Sequence, residues 1–168
     1  MTSDIGTCQP DMDLSEAARR MWDDDCGCLP VVDQGKAVGV ITDRDLCMGA
    51  YFQGRPLREL QVGECMSRQL FSCRASDTIE QVIGLMGDHQ VRRIPVVDEQ
   101  GRVKGILSMN DLVRGTVSLR DERTRSRLAM RLVEALASIS EAHRVGEAVP
   151  GTGPARERSE VRLSPAAI

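Results

Sequence analysis

The chain is poor in aromatics: its 168 residues include one Trp, one Tyr and two Phe. A core of ordinary size must then be aliphatic, filled by Val, Ile, Leu and Met. Histidine is as scarce, with only His89 and His143, so zinc sites or imidazole-based proton transfer have little to draw on. Neither a G-x-S-x-G elbow nor a phosphate-cradling P-loop occurs. These absences weigh against an enzyme. No apolar run approaches the roughly 20 residues that a membrane span needs. The opening MTSDIGTCQP has neither the basic stretch nor the apolar core of a secretory signal, so a cytoplasmic protein without membrane association is expected. A formal net charge of -3 offers no global field for nucleic acid.

Cysteine, by contrast, is well supplied: Cys8, Cys26, Cys28, Cys47, Cys65 and Cys73. In a reducing compartment these stay thiols. Cys26-Gly27-Cys28 forms a C-x-C pair, but no second pair follows at zinc-like spacing. Small buried apolar thiols are the plain reading; a metal or redox role for Cys26 and Cys28 is the sharper alternative.

What the chain does have, it has twice. Leu29-Pro30-Val31-Val32-Asp33 followed by Gly39-Val40-Ile41-Thr42-Asp43-Arg44-Asp45-Leu46 returns as Ile94-Pro95-Val96-Val97-Asp98 and Gly105-Ile106-Leu107-Ser108-Met109-Asn110-Asp111-Leu112. The offset is 65 residues from Met1/Met66 onward and 66 after Asp98-Glu99-Gln100-Gly101, which is one residue longer than Asp33-Gln34-Gly35. A hairpin turn absorbs such an insertion at little cost. A duplicated supersecondary unit packs against its own copy and leaves paired clefts between the two.

Each copy reads strand, helix, strand, strand, helix. Segments 5–8 and 70–73 are short apolar runs and candidate first strands. Asp13/Glu16 and Thr78/Gln81 fit the capping-box pattern. The helices they start place Leu14, Ala17, Ala18 and Met21, and Ile79, Val82, Ile83 and Met86, on core-facing stripes. Two hairpins follow, over 29–41 and 94–107. Thr42 and Ser108 can each cap a further helix, over 43–50 and 109–117. The expected layout is a first repeat over 1–52, a polar connector over 53–65 and a second repeat over 66–118. An amphipathic helix over 119–144 then carries Leu128, Leu132, Leu136 and Ile139, and a disordered tail occupies 145–168. The helix packs on the domain or a dimer mate, or docks another protein.

These paired blocks resemble a tandem cystathionine-β-synthase (CBS) domain pair, the regulatory module also found inserted in IMP dehydrogenases; here it would be stand-alone. The likeness covers roughly residues 1–112. The family signature is Gly, two apolar residues, Ser or Thr, two variable residues and Asp, which both copies carry. The resemblance implies an α+β fold: two β-α-β-β-α repeats packed as a pseudo-two-fold pair, with the C-terminal helix outside it. It further implies a regulatory ligand containing adenosine, AMP, ADP or ATP, with S-adenosylmethionine and NADH also possible, and no required cofactor. A homodimer that signals to a protein target is implied as well.

Asp45 and Asp111 then suit ribose hydroxyls, and the hydroxyls of Thr42 and Ser108 at helix starts suit a phosphate. Gly39 and Gly105 let a ligand approach the backbone. Main-chain groups at Thr7, Cys8, Leu29 and Pro30, and at Ser72, Cys73, Ile94 and Pro95, would read adenine. Arg44, Arg92 and Arg93 are candidate phosphate ligands. The residues alone also allow plainer roles: Asp45 and Asp111 as acids favoured by a helix dipole, Thr42 and Ser108 as caps. Arg92-Arg93 stands where the first copy has Gly27-Cys28, so the clefts are not expected to be equivalent, and one can be empty. Asp23-Asp24-Asp25 adds negative charge beside the first repeat, as a solvated helix end that does not favour a polyphosphate. The competing hypotheses are an interaction scaffold with vestigial clefts that acts through its C-terminal helix, and a cysteine-based metal or redox sensor.

Overall fold

The structure, a computed structural model, describes residues 6–141. The expected tail over 145–168, the last residues of the expected 119–144 helix and the start of the 5–8 strand lie outside these.

Helix α1 (Leu14–Asp23) begins where Asp13 accepts the Glu16 amide at 2.9 Å. The expected reciprocal bond is missing, because Glu16 instead pairs with Arg19 at 2.8 Å and Arg20 at 3.1 Å. The chain then leaves α1 through a left-handed Asp25 (φ 48°) and runs through strand β1 (Cys28–Asp33), strand β2 (Lys36–Thr42) and helix α2 (Asp43–Gln53). The two-residue β1–β2 turn takes positive φ at both Gln34 and Gly35, which matches the twist of a tight hairpin. Each hairpin is antiparallel, with a bulge after Val31 in one and after Val96 in the other.

The second repeat retraces this path. Helix α4 (Ile79–Asp88) has the full capping box of Thr78 and Gln81, and strands β3 (Arg93–Val97) and β4 (Val103–Ser108) lead into helix α5 (Met109–Val117). Gln90, the counterpart of Asp25, is left-handed too (φ 53°).

Two expectations about the repeats need correction. The first strands are single parallel bridges, Cys8 opposite Val31 and Cys73 opposite Val96. In the first repeat the ladder stops after one rung because Pro10, whose amide would make the next bond, has none to give; in the second the chain turns after Cys73, with the Arg74 amide bonded to Asp77 at 2.8 Å. The core stripe of α4 also begins later than expected: Ile79 is 44% exposed. Its counterpart Leu14 is fully buried because Leu60 closes over it, accepting the Leu14 amide at 2.9 Å.

The connector is accordingly more than polar chain. It contains a 3-10 turn (Leu57–Glu59) and a short helix α3 (Val62–Cys65), and it buries Leu60 and Val62 in the core of the first repeat. Helix α6 (Glu122–Ser140) does the same for the second repeat, seating Leu128, Leu132 and Ala135 against α4 and α5. The Ser138 hydroxyl donates to the Gly87 carbonyl at 3.0 Å, Gln90 Nε2 donates to Ser138 O at 2.7 Å and Arg127 pairs with Glu80 at 2.8 Å. Leu136, expected on the buried stripe, sits at the rim instead. The repeats are tied by Ala37 N to Gly101 O (3.0 Å) and by the reciprocal Val40–Ser67 bonds (3.1 and 2.9 Å).

Candidate functional site

Both Thr/Ser-x-x-Asp motifs form reciprocal boxes at a helix start. The Thr42 hydroxyl accepts the Asp45 amide (3.2 Å), while Asp45 Oδ2 accepts the Thr42 amide (2.9 Å) and hydroxyl (2.7 Å). Ser108 and Asp111 repeat this at 3.1, 2.9 and 2.7 Å. The capping role is therefore real in both copies. It occupies Oδ2 of each carboxylate. Asp111 Oδ1 accepts from Arg114 at 3.2 Å. Partial burial works to raise the Asp111 pKa, but the bonds from the Ser108 hydroxyl and amide, with Arg114, outweigh it and hold it below the ordinary carboxylate value.

The second box opens on a cleft between the repeats, with a volume of about 350 Å³. This lies within the roughly 300–1,000 Å³ usual for small-molecule sites. One wall comes from the first repeat: Gly6, Asp24, Asp25, Cys26, Cys28 and Pro30. The other comes from the second: Arg93, Ile106, Ser108, Asn110, Asp111 and Arg114. The pleat explains the second wall. Arg93 stands opposite Ser108 across the β3–β4 pair, so the hairpin delivers a guanidinium beside the box. A shallower hollow of about 410 Å³ lies on the outer face of the first repeat, beside α1 and α2, where Trp22 is exposed. It touches neither box and is a surface groove rather than a site.

Of the residues singled out from sequence, the cleft gathers Pro30, Arg93, Ser108 and Asp111. Thr42 and Asp45 form the matching box on the other repeat. Cys8, Leu29, Ile94, Pro95 and Cys73 are buried, while Thr7 and Ser72 are half-buried. Their main-chain groups are largely engaged within the protein. Thr7 O accepts from Arg20 at 2.6 Å, Cys8 N donates to Pro30 O, Val32 N to Cys8 O, and Cys73 N to Pro95 O. Arg92 and Arg44 are exposed and outside the cleft lining. Gly39 meets the chain itself: a Cβ there would collide with the Ser67 carbonyl. Gly105 is buried opposite Val96.

Sequence reasoning passed over Gly6, Asp24, Asp25, Cys26, Cys28, Ile106, Asn110 and Arg114 as lining residues. Position three after Asp111 could have shown Arg114, since i and i+3 side chains meet on a helix. The pseudo-equivalent of the Gly6–Asp24 contact is a stacked pair, Phe71 on His89, with centroids 3.7 Å apart and 12° between planes.

The three buried thiols are quiet. Burial pushes Cys28 up to about 12 and Cys8 up to about 11, and it also raises Cys73. Such groups are protonated, weakly nucleophilic thiols at neutral pH. Among the described residues no three His, Cys, Asp or Glu side chains converge as a metal site, and no helix is long and apolar enough to cross a membrane.

A doubled helix-start box, a bulged hairpin beside it and a cleft between two copies define a tandem-repeat module. The CBS domain family model matches residues 1–49 and 62–118, and the chain belongs to that family as a tandem pair. It is similar to the CBS domain-containing protein YhcV of Bacillus subtilis, 37% identical over 118 residues, which cover 70% of this chain and 83% of that protein. Among solved structures it resembles the CBS domain NE2398 (TM-score 0.64, 34% identity, 69% of this chain and 91% of that one). It also resembles the CBS domain pair of protein MJ0100 in complex with 5′-methylthioadenosine and S-adenosyl-L-methionine (TM-score 0.61, 28% identity, 68% and 89%).

Proposed function

We propose that this chain is a regulatory module that binds an adenosine-containing ligand in the cleft between its repeats and passes the resulting change to a protein partner. The observation that carries this is the convergence of Ser108, Asp111 and Arg93 from one repeat with Pro30 from the other on a single cleft. A carboxylate with Oδ2 fixed in a cap is pre-oriented, and Asp111 Oδ1, which accepts from Arg114 here, has capacity to accept from a ribose diol as well. A ligand held by both walls favours whichever arrangement of the repeats brings them together. Such differential affinity is what coupling requires. The related pair in complex with 5′-methylthioadenosine and S-adenosyl-L-methionine supports an adenosine ligand as a class.

In this reading the module has no catalytic step. It works as a homodimer in the cytoplasm, closed two-fold pairing being the usual assembly, and its kinship extends to the regulatory module of IMP dehydrogenases. Arg93 is the base placed to meet a ligand phosphate or carboxylate. The first-repeat box of Thr42 and Asp45 forms the secondary site.

The test is a thermal-shift panel of AMP, ADP, ATP, S-adenosylmethionine and NADH on the full chain. Asp111→Asn and Asp45→Asn, which keep a box acceptor, are run in parallel. A ligand at about a hundred times its Kd adds about 2.7 kcal/mol to the native state, a shift of several degrees. Stabilisation by an adenosine compound that is lost in Asp111→Asn is the expected result. A flat panel on folded protein would sink the reading and move attention to the C-terminal helix.

A further inference from the structure

The reading of the cleft as an adenosine site leaves one feature unused. Its first-repeat wall carries Asp24 and Asp25, and among the described residues no base pairs with either carboxylate. Gly6 shapes this wall: a side chain there would displace the Asp24 carboxylate, which lies flush against the residue-6 backbone. At the pseudo-equivalent positions the pair is Phe71 stacked on His89. Glycine-plus-acid on one side and two stacked rings on the other are matched pairs. The charge at this wall is thus set together with the space that admits it.

The opposite wall does not balance it. Arg114 is already engaged by Asp111 at 3.2 Å, which leaves Arg93 as the uncommitted base of the cleft among the described residues, set against Asp24 and Asp25. A polyphosphate brings several negative charges into this space. Both carboxylates are exposed, so they repel those charges through a field that salt screens and that acts most strongly at low ionic strength. A sulfonium or ammonium group that reaches this wall meets attraction instead, and a thioether is indifferent.

We propose that this cleft selects adenosine derivatives with a cationic or neutral 5′ substituent over adenosine polyphosphates, with Asp24 as the discriminating residue; this rests on the reading of the cleft as an adenosine site. The carboxylate wall acts as a charge filter, and Arg93 is free for a single carboxylate or the ring face of the ligand.

The experiment is isothermal titration calorimetry on the full chain at low salt, with adenosine, 5′-methylthioadenosine, S-adenosylmethionine, AMP and ATP. S-adenosylmethionine and 5′-methylthioadenosine are expected to bind at least about tenfold tighter than ATP. Asp24→Asn, an exposed position past the end of α1, should narrow the S-adenosylmethionine to ATP ratio by about three- to tenfold and move 5′-methylthioadenosine less than either. Raising the salt should narrow the same ratio in the wild type. Tighter binding of ATP than of S-adenosylmethionine overturns the proposal. So does a ratio that neither Asp24→Asn nor the Asp24→Asn/Asp25→Asn double variant moves. If none of the five compounds binds, or if Asp111→Asn weakens none of them, the adenosine reading itself fails and the filter falls with it. If they bind through Asp111 but rank by phosphate number, the filter alone fails.

Discussion

The two repeats share the same helix-start box, the same bulge, the same single parallel bridge and the same left-handed residue after the first helix, yet each is completed differently. In the first, Leu60 and Val62 from the connector close the core over α1. In the second, Leu128, Leu132 and Ala135 of α6 do so over α4. In both cases the covering piece is the segment that follows the repeat. A small two-stranded sheet with two helices leaves apolar helix surface uncovered, and a third element has to take it out of water. The duplication copied the unit but not its cover, and the cover is where the repeats diverged.

The cleft walls diverge as well. Gly6 and Asp24 stand where the other copy has Phe71 and His89, so a near-symmetric backbone carries chemically unlike sites. The Thr/Ser-x-x-Asp boxes did not diverge, because each caps the second helix of its own repeat.

The strongest test of the comparison removes each cover in turn. Leu60→Ala and Leu132→Ala should each destabilise by about 2–5 kcal/mol in urea unfolding, as deletions from a fully packed site do. A loss below about 0.5 kcal/mol for Leu132→Ala would make α6 an accessory rather than the roof of the second repeat. Next in size is Gly39→Ala, where the new Cβ meets the Ser67 carbonyl and strains the Val40–Ser67 bonds; about 1–3 kcal/mol of destabilisation is expected. Gly84→Ala in α4 should go the other way, by about 0.5–1 kcal/mol, since its Cβ meets no atom within 4 Å and a helix interior favours alanine. Opposite signs at these two glycines would separate the inter-repeat contact from mere helix propensity.

Asp45→Ala and Asp111→Ala sharpen the comparison further. Each opens a capping box and should cost about 1 kcal/mol, so thermal melts of the two should nearly coincide. Ligand binding should be lost in Asp111→Ala and largely kept in Asp45→Ala. Equal loss in both would mean two equivalent clefts.

The smallest effect is a pH dependence in the second hairpin. Desolvation acts to raise the Asp98 pKa. The amides of Arg102 and Gln100 and the side chains of Arg102 and Lys104 outweigh it and bring it down to about 2. Because the folded pKa lies below the unfolded one, this contribution is complete above about pH 4 and fades as pH falls toward 2. Asp98→Asn should flatten that part of an acid-unfolding profile without changing the plateau slope near neutrality.

Much of this was legible in the chain. Repeat length, hairpin positions, both boxes and the helix over α6 follow from local pattern, since caps, turns and apolar stripes are settled within a few residues. The missing first strands were not legible: apolar content at 70–73 suits a strand, but the chain turns directly after Cys73, with the Arg74 amide bonded to Asp77. The cleft was half legible. Ser108, Asp111, Arg93 and Pro30 were identified from sequence as site residues, but the expected grouping drew each adenine contact from within one repeat.

Sequence alone determined that this chain folds as a doubled unit with an aliphatic core and a Ser/Thr-x-x-Asp box at each second helix, because those features rest on neighbours in the chain. Tertiary structure alone decided that Asp111 of one repeat would face Asp24 and Pro30 of the other, and which segments would roof each core. Both depend on how two units dock, and docking is set by shape and burial between residues far apart in sequence.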